Sequence, residues 1–347
     1  MLLGNITFKI LYTILGKKRW MRKGMNNKNS IMRVLFCAIV VIFVCIVIFK
    51  MVDKFKFNEN DDSATSNNQY WEGDFKIEVN DELQTVGIYG YQGDGNLVVP
   101  AKIESYKVNY IDDFIDNEDI VSVYIPLELD QKVRIILDNC SSLRKIEYAE
   151  GIKTINTEVF DCNSLKELVI PEGVEEISGC FLRCKALENI TFPSSLRAAS
   201  GYDFKGTTFS EIHKNDKYYV VGDGVLLFFN GDSNQDIVIP DGVKCFDDYI
   251  SKEEVTPRNV YIPDTISVLR IQLDDGDTLF MGEGEIERLD LNCLSKGIKG
   301  TIVAPANSYI EQYCKEKGYR FRVMTDEEEK KWREKTEAAA SEITYQE

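Results

Sequence analysis

A pattern with a fixed step of 22 residues runs from Val133 to His213, and it constrains this chain more than any other feature. Cys140, Cys162 and Cys184 fall on that step, and each opens a Cys-x-x-Leu; Gly206-Thr-Thr-Phe209 keeps the spacing without the cysteine. The step also aligns Leu143, Leu165, Leu187 and Phe209, then Ile146, Leu168, Ile190 and Ile212, then Tyr148, Ile170 and Phe192. A unit this short cannot bury its own apolar side chains, whereas stacked copies bury a continuous core, so the period predicts a solenoid.

The last two columns alternate with period two, which predicts a short strand whose intervening residues point away from the core. Successive coils would place these strands side by side in one long parallel sheet. Pro171 and Pro193, directly after Ile170 and Phe192, cannot donate a ladder hydrogen bond and so close the strand. A second apolar rhythm marks the turn beyond it: Ile152, Val174 and Leu196, then Ile155, Ile177 and Ala199.

The run LKELVIPEGVEEISGCFLRC, from Leu165 to Cys184, has Leu-x-x-Leu-x-Ile-Pro, a turn, Val-x-x-Ile, an aromatic and a Cys. This resembles the BspA-type leucine-rich repeats of bacterial surface proteins. Asn96 to Ile111 is similar to that family's opening repeat and Gly300 to Phe321 to its closing segment, so the resemblance covers about Asp74 to Met324. It implies a leucine-rich-repeat solenoid with a parallel β-sheet on the concave face, short turns or 3-10 segments on the other, an N-terminal β cap and a short C-terminal capping helix. It also implies binding of a protein or glycan at the cell surface, adhesion foremost, with no covalent chemistry. An envelope scaffold or sensor component that binds a partner in the same cell is the alternative.

Charge divides the chain. Met1 to Val52 holds nine Lys or Arg and no acid, which leaves −25 of the formal −16 on the remainder. Such a remainder repels a phosphate backbone and excludes nucleic acid as its partner. The basic end suits a membrane instead. Val34 to Phe49 is sixteen unbroken apolar residues, and residues 31–52 together are long enough to cross about 30 Å of hydrocarbon. Eight basic residues precede that core, which places residues 1–30 in the cytoplasm by the positive-inside rule. No Ala-x-Ala follows Phe49, so an uncleaved, single-pass signal anchor is expected, with Met25 or Met32 a more ordinary start than Met1.

Residues 53–70 then read as a flexible polar stalk and 71–324 as the repeat ectodomain. Within it, 71–100 form the N-terminal cap, 214–239 a hairpin-like insertion with turns at Gly222-Asp-Gly224 and Asn230-Gly-Asp232, and 300–324 the C-terminal cap. That last segment predicts a helix capped by Asn307 or Ser308, with Tyr309, Ile310, Tyr313 and Cys314 inward and Gly318 as its stop. Residues 325–347 read as a charged tail, from Asp326 a solvated helix that frays toward its end.

Chemistry is thinly represented. His213 is the single histidine and no Gly-x-Ser-x-Gly elbow accompanies it, so no catalytic residue is assigned. Asp232 to Asp236 starts like a calcium loop, but Ile237 and Val243 stand where that loop needs Gly and Glu. The Cys140 column reads as buried packing thiols, since stacked Cβ directions are parallel and no Cys-x-x-Cys pair exists. No metal site and no cofactor is expected. What remains is a binding surface made of the outward strand positions. By the columns these are Ser122 and Tyr124, Lys145 and Glu147, Glu167 and Val169, Asn189 and Thr191, Glu211 and His213, then Arg258, Asn259 and Tyr261.

Overall fold

The computed structural model describes residues 69–112, 114–232, 235–247, 258–291 and 298–346. The expected cytoplasmic segment 1–30, anchor 31–52 and nearly all of stalk 53–70 lie outside them. Among the described residues no helix is long and apolar enough to cross a membrane.

Cap strands open the body. Tyr70–Glu72, Phe75–Asn80 and Thr85–Tyr91 run antiparallel, and Tyr106–Ile111 joins Thr85–Tyr91 in parallel before pairing with Lys102–Ile103. Their inward residues Ile77, Val86 and Ile88 are buried and cover the first coil. An open coil end would otherwise expose apolar side chains and a free strand edge.

The chain then winds as a β-solenoid of about 10 turns. The repeated Ile-x-Ile strands form one face: β1 (Asn96–Val98), β2 (Ser122–Ile125) and β3 (Lys145–Tyr148) pair in parallel, as do β4 (Glu167–Val169) and β5 (Asn189–Thr191). After the hairpin the face resumes as β6 (Ile237–Val238), β7 (Asn259–Tyr261), β8 (Thr278–Phe280), β9 (Thr301–Ala304) and β10 (Phe321–Val323). The column residues Leu143, Leu165 and Leu187 are fully buried beneath it. Truncating one to Ala would cost about 2–5 kcal/mol.

The other sides differ from the expected turns and 3-10 segments. Further parallel ladders run there, among them Cys245–Asp247, Val268–Arg270 and Arg288–Asp290 in the C-terminal half and two in the N-terminal half. One joins Thr154–Ile155 to Glu176–Ile177, and the other joins Phe114–Ile115, Ile135–Asp138, Thr157–Phe160 and Cys180–Leu182. Equal coil lengths bring like backbone groups to like heights, so even two- to four-residue segments complete ladders. Asp116, Asn139, Asp161 and Arg183 take the same left-handed corner (φ 54°, 52°, 52° and 58°), one per coil. Their side chains link along the stack, Asn139 to Asp116 and Arg183 to Asp161, which favours a conformation non-glycine residues usually avoid. Cys140, Cys162 and Cys184 follow these corners as buried free thiols, each directed at a main-chain carbonyl of the preceding coil.

The hairpin Tyr218–Val221 and Val225–Phe229 is more than an insertion. All four residues of its first strand are buried, and they alternate between two cores: Tyr219 and Val221 face the N-terminal one, Tyr218 and Val220 the C-terminal one. A strand buried on both faces reads as a continuous apolar run, as this one does. Downstream, α2 (Tyr309–Lys317) covers the last coil with Ile310 and Cys314 inward, Ser308 as N-cap and Gly318 at φ 70°. The fourth repeat copy forms α1 (Thr208–Ile212) instead of a strand.

The tail is the largest departure from expectation. Residues Asp326–Ala340 form α3, which lies across the outward side of the C-terminal face strands, and Ile343–Tyr345 adds a parallel strand beside Tyr218–Val221. A Thr325–Glu328 capping box starts the helix. Only a narrow stripe of it, Trp332, Thr336 and Ala339, is buried, which is why its charge obscured it.

Candidate binding face

Alternation along β1 to β5 turns every second side chain outward. Asn96, Lys145, Glu167 and Asn189 form one outward column with half-buried Ser122, and Val98, Tyr124, Glu147, Val169 and Thr191 form the next. Three of these are apolar or aromatic yet well exposed: Val98 at 58%, Tyr124 at 38% and Val169 at 61%. Large apolar groups left exposed along one outward column, on either side of Glu147, are what a surface held against a partner needs. The polar column supplies hydrogen-bonding groups beside them, with Ser122 bonded to Asn96 and Lys145 ion-paired to Glu147 at 2.8 Å.

The ladder is interrupted within this face. β3 and β4 belong to different sheets, and a groove of about 450 Å³ opens between them. Lys145, Glu147, Glu167, Val169 and Pro171 line it. Its volume falls in the range of ligand clefts, of order 300–1,000 Å³.

Three expected surface residues are not where column counting puts them. Glu211 and His213 leave the strand register because Thr207 caps Ser210 N–H and turns the chain into α1. The segment also lacks the second apolar strand position, and Ile212 is exposed. Glu211 stays on the surface beside Lys214. His213 stacks on Tyr219 at 3.8 Å, packs edge-on to Phe209 and binds Asp216 through Nδ1 at 2.7 Å, so it completes an aromatic cluster. Arg258 is buried and its Nε lies 3.7 Å from Asp277, whose carboxylate also takes the main-chain N–H groups of Arg258 and Asp274. Charges so buried are kept in pairs because an isolated one is costly.

Tyr261 keeps the outward register of Asn259 and Tyr261 but is only 2% exposed. It stacks on Phe280 at 4.9 Å, and with Val303 and Met324 the pair receives Trp332 of α3. Trp332 donates its indole N–H to the Ile262 carbonyl at 2.8 Å. Gly282 makes room for the Asp264 carboxylate and the indole together, since a Cβ there would fall on Asp264 and 2.7 Å from the indole. Lys335 sits 4.5 Å over the Tyr261 ring and 3.0 Å from Asp236. Arg322 pairs with Glu328 at 2.7 Å and holds that carboxyl down at about 2, against the opposing effect of burial.

A second concavity, about 570 Å³, lies on another side among Glu176, Asp203, Asp247, Arg270, Arg288 and Asp290. Its charges pair among themselves, Arg288 with Glu176 and Arg270 with Asp247 and Asp290. Burial raises the Asp247 carboxyl above its usual range against the pull of those arginines. Among the described residues no His, Cys, Asp and Glu group is arranged to hold a metal ion.

The profile of the BspA type leucine rich repeat region matches in six copies, over residues 96–205 and 178–273, which together span just over half of the chain. No curated protein matches. Among solved structures, a leucine-rich repeat protein of Bacteroides capillosus is similar at 19% identity and TM-score 0.28, over 36% of this chain and 98% of that one. A leucine rich cell surface protein of Faecalibacterium prausnitzii is similar at 14% identity and TM-score 0.27, over 78% and 97%. The pneumococcal vaccine antigen PcpA is similar at 13% identity and TM-score 0.31, over 74% and 98%.

Proposed function

Because the chain belongs to the BspA type leucine-rich-repeat family, we infer that it works by recognition: it binds a protein or glycan through the outward face of β1 to β5, displayed at the bacterial cell surface by the apolar segment 31–52. Adhesion is the leading role. The observation that carries this reading is the exposed row Val98, Tyr124 and Val169, set beside a polar column and a groove. The acidic balance beyond Val52 disfavours nucleic acid, and two residues expected on the binding surface, His213 and Arg258, are engaged in packing and ion pairing instead.

The test is capture by the full-length chain in detergent from the organism's own envelope extract and, in parallel, from host matrix and glycan arrays. Adhesion predicts capture of host or foreign-cell components, lost in Tyr124→Ala/Val169→Asp. Capture confined to a self envelope protein would leave the scaffold reading, and capture unaffected by that double variant would remove this face from the account.

A further inference from the structure

The groove between β3 and β4 is floored by main-chain groups. Alternate residues of a parallel strand turn their N–H and C=O to opposite neighbours. Ala149 donates to Ile125 of β2, and Ile170 donates to Thr191 of β5. The alternation therefore turns the groups of Ile146 and Tyr148 toward those of Glu167 and Val169, across the groove that all four residues line. Yet no ladder joins the two strands. Ser122 and Asn189 each open their strand by donating to the coil before, to Gly95 at 3.0 Å and to Lys166 at 3.2 Å. Among the described residues the matching bond, from Glu167 to the Arg144 carbonyl, is absent.

Main-chain donors and acceptors seek partners, and an unpaired strand edge is a template for another strand. Here two such edges face each other, so one occupant satisfies both. The other sides of these coils stay closed: Thr157–Phe160 pairs with Cys180–Leu182, and Glu175 donates to Lys153 at 2.9 Å. The opening is confined to the outward face. A strand entering there breaks no ladder as it spreads the two edges to two ladder steps, about 9.6 Å. Beneath the groove Leu143, Ile146, Leu165 and Leu168 are already buried and packed. An inserted strand aims every second side chain at that layer, so those positions take glycine or alanine. Around the rim Arg144 and Lys145 balance Glu147 and Glu167, with Val169 beside them. The outward side chains are therefore uncharged and polar.

We propose that this groove is the seat of an extended peptide strand from a partner, inserted between β3 and β4, in which small residues alternate with uncharged polar ones. Main-chain bonds to a sheet edge give such complexes their affinity, and the room for alternate side chains gives their specificity. A helix spends its main-chain groups on itself, and a glycan has no in-line alternation of N–H and C=O, so neither fits both edges. This proposal rests on the recognition reading and names the partner class for the same face.

The probe is a labelled acetyl-Thr-Gly-Thr-Gly-Thr-amide peptide, titrated against the full-length chain in detergent by fluorescence anisotropy. Saturable binding is expected. It should weaken roughly tenfold or more when both glycines are N-methylated, which removes two main-chain donors, and when both are replaced by leucine. Val169→Pro in the chain should act alike, because it deletes a groove-facing donor at an exposed position that no ladder uses. An unchanged circular dichroism spectrum identifies that variant as folded. Residue-resolved hydrogen exchange reads the groove without any variant. The amides of Ile146 and Val169 should exchange faster than those of their strand neighbours Glu147 and Leu168, and should slow when the peptide is added. Four results would overturn the proposal: no saturable binding, equal binding of the N-methylated or leucine peptide, indifference to a folded Val169→Pro, or equal protection of all four amides in the free chain. A Tyr124-dependent glycan or protein ligand found while the peptide fails would leave recognition standing and sink only the strand.

Discussion

Two stretches of the repeated strand face follow the same repeat columns and nearly the same sequence, yet one is open and the other closed. Tyr124 is 38% exposed and Tyr261 is 2% exposed, although both occupy the same column of the repeat. The difference does not arise in the strands. It comes from α3, which returns from beyond the last coil and lays Trp332 on Tyr261, Phe280 and Val303. Repeat arithmetic therefore fixes where a side chain points but not what lies over it.

The most damaging way to break the closed stretch is Trp332→Ala. It removes the anchor and the indole hydrogen bond to Ile262, and about 3–5 kcal/mol of stability should be lost in chemical denaturation. Phe280→Glu would make the closed row match the open one. The change trades the ring stacked on Tyr261 for a desolvated carboxylate in the Trp332 contact, so α3 should loosen at a cost of about 3 kcal/mol, visible as a red shift of Trp332 emission.

Acid should loosen the same helix more gently. Glu328 is held at about 2 by Arg322, below its ordinary 4.5. A depressed carboxyl contributes stability that is fully present above about pH 4.5 and is lost as pH falls toward about 2. Glu328→Gln should flatten that part of the stability profile. The smallest effect belongs to the open stretch. Tyr124→Ala and Val169→Ala touch no packed neighbour of this kind and should shift stability by no more than about 0.5 kcal/mol while they reduce ligand capture.

Much of this was legible in the sequence. The columns of Leu143, Leu165 and Leu187 and of the three cysteines are buried as their period requires, and α2 starts at Ser308 and stops at Gly318 as its caps predict. The misses have physical reasons. The fourth copy keeps Phe209 buried but lacks a second apolar strand position, and Thr207 offers the backbone a helix cap instead. Arg258 looked like a surface cation because its buried counter-ion, Asp277, is nineteen residues away. The tail looked solvated because its buried stripe is one large residue and two small ones among charges, although Trp332, Thr336 and Ala339 do keep helical spacing. Tyr261 pointed outward as expected, and no local pattern announces a cover that comes from about seventy residues further on.

The central claim, one face with an open and a closed half, is tested most directly by hydroxyl-radical footprinting of the full-length chain, comparing Tyr124 with Tyr261. Rapid modification of Tyr124 and protection of Tyr261, relieved in Trp332→Ala, is the predicted result. Equal modification of both tyrosines in the unaltered chain would contradict it.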